Sequence, residues 1–389
     1  MKAFIACLLA MCLVLGMAGC HKTEETPETE ATTMPTDPVQ LKHTVDVFLP
    51  DKTFESKIVG PWGQALYDHG NKANPYYAEN DAQTQEQQIL QQLEKGSKCI
   101  IVVPVDSMSL SNALAKAREY DVPVVTFDRQ LMYAQDVRFA VTFDYVSIGV
   151  AIGSSIVSEK NLSTAKAEGR SYTIEFLMGA AEDQNAALIH QGIISVLQPH
   201  LDSGVLVCRS GRVSLEDTFV QDWDTAQAKV RCLQYLEKYK DDQVDILCAA
   251  SDDLARGCIQ ALSDTGCTQV DWPMITGAGG EMAALDRVAK GLQTMTVYRD
   301  VEGAARRLGE LVAMLLEGET LPAAENATVT FGAQSAPLYV AAMKLVQKRD
   351  LLDFGYTEAQ LGLQTAPPET TAPPETTVPS ETTASGENS

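Results

Sequence analysis

Val122-Pro123-Val124-Val125-Thr126-Phe127-Asp128-Arg129 is the stretch that decides how this chain is read. Five of its first six residues are apolar or β-branched, the pattern of a strand buried on both faces. An acid and a base then arrive side by side as the strand ends. In open α/β sheets ligands bind at the carboxyl ends of the strands. Asp128 can accept hydrogen bonds there, and Arg129 can donate a planar fork of them. A solvated ion pair or a helix cap is the plainer explanation, and the surrounding pattern has to choose.

Upstream, strands are predicted at residues 44–49, 74–79 and 99–104. Between them lie a helix reaching about residue 69, disturbed at Gly60-Pro61, and a Gln-rich helix over 82–95. The second is capped by Asp81 and closed by Gly96. Ser107 or Ser109 opens a third helix, running to residue 120, and a fifth strand is predicted at 137–142. After Asp144 the alternation restarts. Strands are predicted at 172–178, 204–208, 244–249, 273–278 and 293–297, with helices near 183–198, 226–239, 253–263 and 281–290. Helices at 301–316 and 340–351 follow, with residues 328–331 between them. Strands alternating with helices of this length mean parallel βαβ units. The fold class is therefore α/β, with two doubly wound parallel-sheet lobes.

The ends differ from the middle. Residues 1–19 read as a secretory signal: Lys2, an apolar run, then small residues. Met17-Ala18-Gly19-Cys20 resembles a bacterial lipobox, which implies a lipidated Cys20 as the mature N-terminus and anchoring in the cell membrane. Residues 20–40 read as a disordered tether reaching roughly 25 Å. Residues 364–389 repeat Ala-Pro-Pro-Glu-Thr-Thr and read as a disordered spacer. The net charge of −22 argues against nucleic acid as a partner. There are nine cysteines and no C-x-x-C, and the five histidines are scattered. No metal and no cofactor is expected. Cys258 and Cys267 bracket a helix and could close a small loop, whereas Cys99, Cys208 and Cys248 read as buried thiols on strands.

Every other functional candidate also follows a strand. Asp51, Lys52 and Phe54 follow the first, and Glu182-Asp183-Gln184-Asn185 follow the first of the second lobe. Asp222-Trp223-Asp224, Ser251-Asp252-Asp253 and Gly277-Ala278-Gly279-Gly280 come after its later strands. Singly, Asp183 and Asp253 read as helix caps, Trp223 as a core aromatic and Phe54 as a staple. Two sheets facing each other through their carboxyl edges would gather all of them into one cleft. Carboxylates, amides and Arg satisfy sugar hydroxyls, and Trp223 or Phe54 can cover an apolar sugar face. The Gly277–Gly280 run lacks the third glycine of a dinucleotide loop, since Met282 stands there.

From Val45 to about Gln360 the chain resembles the ribose-, xylose- and glucose/galactose-binding proteins of bacterial ABC importers. The matching pieces include Ala78-Glu79-Asn80-Asp81, Ile101-Val102-Val103-Pro104-Val105-Asp106, Thr142-Phe143-Asp144 and Gln293-Thr294-Met295-Thr296-Val297-Tyr298. The resemblance implies the type I periplasmic-binding-protein fold, with a three-strand hinge crossing near residues 142–144, 297–300 and 334–338. It implies a first lobe of residues 41–143 and 298–337, and a second of 144–297 and 338–363. It implicates Asp128 and Arg129 in gripping hydroxyls, Trp223 and Phe54 in stacking, and Asn185 as a hydroxyl partner. Asp252 stands where an Asn is usual, and Arg299 where Lys or Gln is. Tyr145 replaces a frequent Asn. An acid usual near Gly279 is missing, which widens the site.

The expectation is an extracytoplasmic, lipid-anchored, monomeric binding protein that takes a monosaccharide or related sugar between its lobes and delivers it to an ABC permease. It is not expected to be an enzyme. A sensor lipoprotein presenting a sugar or furanosyl autoinducer to a receptor or kinase is the alternative. A secreted carbohydrate-active enzyme using cleft carboxylates stands third.

Overall fold

A computed structural model gives the structure of the chain and describes residues 40–52, 60–131, 137–180, 183–239, 243–266, 272–324 and 337–363. The expected signal, Cys20, the tether, Phe54, Cys267, residues 328–331 and the tail lie outside the described residues.

The first half runs β1 (His43–Leu49), α1 (Gly60–Asp68), β2 (Asn71–Tyr77), α2 (Ala82–Glu94), β3 (Ile100–Val102), α3 (Ser111–Glu119), β4 (Val124–Phe127) and β5 (Val137–Thr142). The second runs α4 (Tyr145–Glu159), α5 (Leu162–Ala167), β6 (Tyr172–Leu177), α6 (Gln184–Asp202), β7 (Leu206–Val207), α7 (Leu215–Thr218), α8 (Thr225–Lys238), β8 (Ile246–Ala249) and α9 (Asp252–Asp264). It closes with β9 (Met274–Ile275), α10 (Met282–Ala289), β10 (Met295–Arg299), α11 (Val301–Leu316), β11 (Leu338–Val340), β12 (Met343–Gln347) and α12 (Glu358–Leu361).

Two sheets result, and they repeat one order. The first is β11-β5-β4-β3-β1-β2, parallel throughout. The second is β7-β6-β8-β9, also parallel. It continues through a parallel Gly279–Tyr298 bridge to β10, on which β12 lies antiparallel. In each sheet the chain reverses direction beside its first strand, so the following loops part and leave a crevice at the carboxyl ends.

Alternation along the strands explains the layering. Val45, Val47, Leu49, Ile101, Val125 and Phe127 face one way and pack with Trp62 and Leu66 of α1 and Leu308 of α11. Phe48, Ile100, Val102 and Val124 face the other way, toward Ile89 and Leu93 of α2 and Leu114 of α3. All are buried, which is why these segments read as near-continuous apolar runs.

The chain passes between the sheets three times. The β5–α4 and β10–α11 passages are capped by Asp144, which accepts from the Ser147 amide at 3.0 Å, and by Asp300, which accepts from the Gly303 amide at 2.9 Å. The third passage corrects the expectation at residues 334–338. Leu338–Val340 pairs with β5, so the crossing falls at Ala341-Ala342 and residues 338–340 belong to the first sheet. The helix expected over 340–351 is likewise β11, β12 and a short 3-10 turn at Lys348–Phe354. Open sheet edges decide this. The Ala341 amide donates to Thr142 at 2.8 Å, and β12 occupies the free side of β10.

Candidate functional site

The loops leaving both sets of strands line one cleft of about 960 Å³. Asp51, Asp106, Asp128, Arg129, Phe143 and Tyr145 line the first wall and hinge. Asp183, Asn185, Trp223, Asp252, Gly279 and Arg299 line the second. The structure therefore brings together Asp51, Asp128, Arg129, Asn185, Trp223, Asp252 and Arg299 from the expected set. Lys52 is exposed and outside the lining.

Asp128 turns the chain at the end of β4 in a left-handed conformation, φ 62°. Its amide donates to Val141 at 2.9 Å, and Thr142 Oγ1 donates to its carbonyl at 2.7 Å. That fixes the carboxylate at the cleft wall, where it is 7% exposed. Its Oδ1 accepts from the Tyr145 hydroxyl, and Arg299 Nη1 stands 3.4 Å away. Arg299 Nη1 also donates to Tyr145 Oη at 2.7 Å, and its guanidinium lies 5.3 Å from the Phe143 ring centre. Burial works against the Arg299 charge, but the Tyr145 oxygen and the Asp128 carboxylate more than offset it and hold its pKa above the ordinary value. Burial likewise pushes the Tyr145 hydroxyl well up, against the opposing pull of Arg299. Tyr145 thus works as a neutral donor at the hinge.

A second constellation crosses between the lobes. Asp183 caps α6, accepting from the Asn185 amide at 3.0 Å. Its other oxygen accepts from Trp223 Nε1 at 3.0 Å and lies 3.0 Å from Arg129 Nε. One carboxylate thus caps a helix, orients the indole and meets a base from the opposite lobe. Trp223 stands in a left-handed turn with Asp222, at φ 55° and 54°. Its ring covers Gly179 so closely that a Cβ there would sit 2.0 Å from the indole. Asn185 is 3% exposed, and its Oδ1 has no hydrogen-bond partner among the described residues. A buried acceptor left open at a cleft wall is what a bound donor would satisfy.

Asp252 is differently employed. Its Oδ1 accepts from Gln293 Nε2 at 2.6 Å, and its Oδ2 accepts from the Gly280 amide at 2.7 Å and Thr296 Oγ1 at 2.8 Å. The carboxylate fastens the Gly277–Gly280 loop to β10. The glycines follow from this. A Cβ at Gly277 would lie 2.3 Å from Asp252 Oδ1, and one at Gly280, where φ is 78°, 2.5 Å from the Tyr298 Cα. A side chain at Gly279, φ 141°, would start 3.0 Å from the Asp252 carboxylate. The acid missing near Gly279 is thus matched by an acid beneath the loop.

The sequence reading placed Asp183 among the strand-end candidates with a helix cap as its plainer role, and took Tyr145 for a departure. Asp106 and Asn80, which donates to Asp51 at 2.8 Å, were seen only as pieces of a resemblance. Among the described residues no group of His, Cys, Asp and Glu is arranged to hold a metal ion.

Two parallel sheets opening their carboxyl ends onto one polar cleft, tied by three passages, define a two-lobed ligand-binding protein. The chain belongs to the periplasmic binding protein family, whose domain model matches residues 54–320. It is 33% identical over 75% of its length to the multiple sugar-binding periplasmic protein SbpA of Azospirillum brasilense, covering 83% of that protein. It is 29% identical over 73% of its length to the multiple sugar-binding periplasmic receptor ChvE of Rhizobium radiobacter, covering 81% of it. A solved ABC-transporter solute-binding protein from Clostridium phytofermentans, with bound β-D-glucose, superposes with a TM-score of 0.73 at 28% identity. That match covers 82% of this chain and 99% of the other.

Proposed function

We propose that this chain is the extracytoplasmic substrate-binding lipoprotein of an ABC importer, and that it holds a monosaccharide or related sugar between its lobes. The observation that carries the reading is the cleft itself. Asp128, Arg129, Asp183 and Arg299 are preorganised by one another, Asn185 Oδ1 has no partner among the described residues, and the edge of the Trp223 ring is fixed by Asp183. Such a set satisfies hydroxyls and covers an apolar sugar face. The names of the curated relatives and the glucose in the solved one point the same way. Lobe closure hides the sugar from water and presents the closed form to a permease; no bond is made or broken. Cys20 carries the lipid anchor, and the protein acts as a monomer. A thermal-shift screen over pentoses, hexoses and polyols tests the ligand, because a molecule bound only to the folded state raises apparent stability. The reading fails if no sugar raises it. Loss of membrane association in Cys20→Ser tests the anchor.

A sensing role, presenting the closed form to a receptor or kinase, is the second reading, favoured by the relative named a receptor. Binding assays against a partner permease and a partner receptor separate the two.

A further inference from the structure

We propose that the cleft selects a sugar carrying a protonated amine over its neutral parent, and disfavours sugars carrying a carboxylate; this rests on the sugar-binding reading above. The described lining holds nine carboxylate residues and two arginines. Both arginines already face acids: Arg129 meets Asp183 at 3.0 Å, and Arg299 meets Asp128 at 3.4 Å. Asp252 is committed to Gly280, Gln293 and Thr296. Arg299 Nε is a buried donor without a partner among the described residues, and beyond it what remains toward the ligand is chiefly acceptor capacity. Among the described residues Asp106, Asp222, Glu281 and Glu302 line the cleft without an ion pair. Asn185 Oδ1, buried in the wall, is a further acceptor with no donor.

Three consequences follow from chemistry alone. An entering anion meets no uncommitted cation in the described lining and a field of its own sign, focused between low-dielectric walls. A neutral hydroxyl can donate only once, whereas an ammonium donates three times and brings the complementary charge. Third, the preference depends on salt, because the carboxylates concerned are partly exposed and are screened over about 8–10 Å at ordinary ionic strength.

Calorimetry on the full mature chain at about pH 6, with matched trios in the gluco and galacto series, tests this. Each trio is the neutral hexose, its 2-amino-2-deoxy derivative and its uronate. In the series that binds, the amino sugar should bind about tenfold tighter than the neutral sugar at low salt, and the uronate at least tenfold weaker. The amine advantage should shrink severalfold in about 0.5 M salt. In D222N/E281Q/E302Q, which alters partly or fully exposed side chains, the amine-to-neutral ratio should fall toward one. A neutral sugar that binds as well as its amine, or a uronate that matches the neutral sugar, overturns the charge selection and leaves the sugar reading standing. If no member of either trio binds, and none of the wider sugar screen does, both fall.

Discussion

Gly179 and Trp223 show how much of the site hangs on single atoms. The indole lies where a Cβ on Gly179 would be, and its Nε1 is held by Asp183. Gly179→Ala must push the ring off that wall. The expected result is a loss of sugar affinity similar to that in Trp223→Ala, about 1 kcal/mol or more on the scale of aromatic contacts. Titration calorimetry of both variants checks it, and unchanged affinity in Trp223→Ala would remove the ring from the site. Arg129→Ala should cost more, about 2–4 kcal/mol, because Asp183 stays buried without its base. Asp128-Arg129 was legible in the sequence because a buried strand ends there and both side chains are charged. Asp183 was not. A cap explains an Asp at the start of a helix fully, and its other partners come from Trp223, forty positions away, and from Arg129 in the opposite lobe.

At the scale of elements, α4 and α6 meet through glycines. A Cβ at Gly149 would lie 2.1 Å from the Ile189 carbonyl, and one at Gly192 2.2 Å from the Val146 carbonyl. Gly149→Ala should therefore destabilise the second lobe by about 1–3 kcal/mol, read as a fall in the urea midpoint. The loop over α9 makes a pH-dependent prediction. Burial pushes the Asp252 carboxyl above its ordinary value of 3.8, against the pull of its three hydrogen bonds. The folded chain then holds that proton where the unfolded chain releases it, so this group's contribution to stability falls as pH rises from about 4 through the raised value. Asp252→Asn removes the titration. The stability of the natural chain relative to this variant should improve as pH is lowered into that range, and a difference flat with pH would count against a perturbed carboxyl. The βαβ alternation was legible because each strand is buried on both faces. The last strands were not. Ala341, Ala342, Leu345 and Val346 recur at three- and four-residue spacing and suit a helix as well, and only the open edges of β5 and β10, built from segments far away in sequence, choose extended pairing.

Over the whole molecule, the two sheets share one strand order, and charged contacts bridge their facing loops beside apolar packing such as that of Leu188 of α6 with Ala140 and Leu338. Arg129 reaches Asp183 from the first lobe to the second, and Tyr145, at the start of a second-lobe helix, donates to Asp128 at the end of a first-lobe strand. Charged contacts of this kind can re-form around a ligand. The hinge is three short passages, two of them capped by Asp144 and Asp300 and cross-bonded through Ala341 and Ala342. Lobe motion is therefore expected to leave both lobes intact and to turn on a few residues. Small-angle scattering should show the radius of gyration falling when a saturating sugar is added. At a hundredfold excess over Kd the same sugar should add about 2.7 kcal/mol of apparent stability. In Arg129→Ala the compaction at saturation should be smaller, since the bridge to Asp183 is gone. A sugar that raises stability while the scattering curve stays fixed in both chains would mean that the cleft binds without closing, and the hinge would then have no part in presenting the ligand.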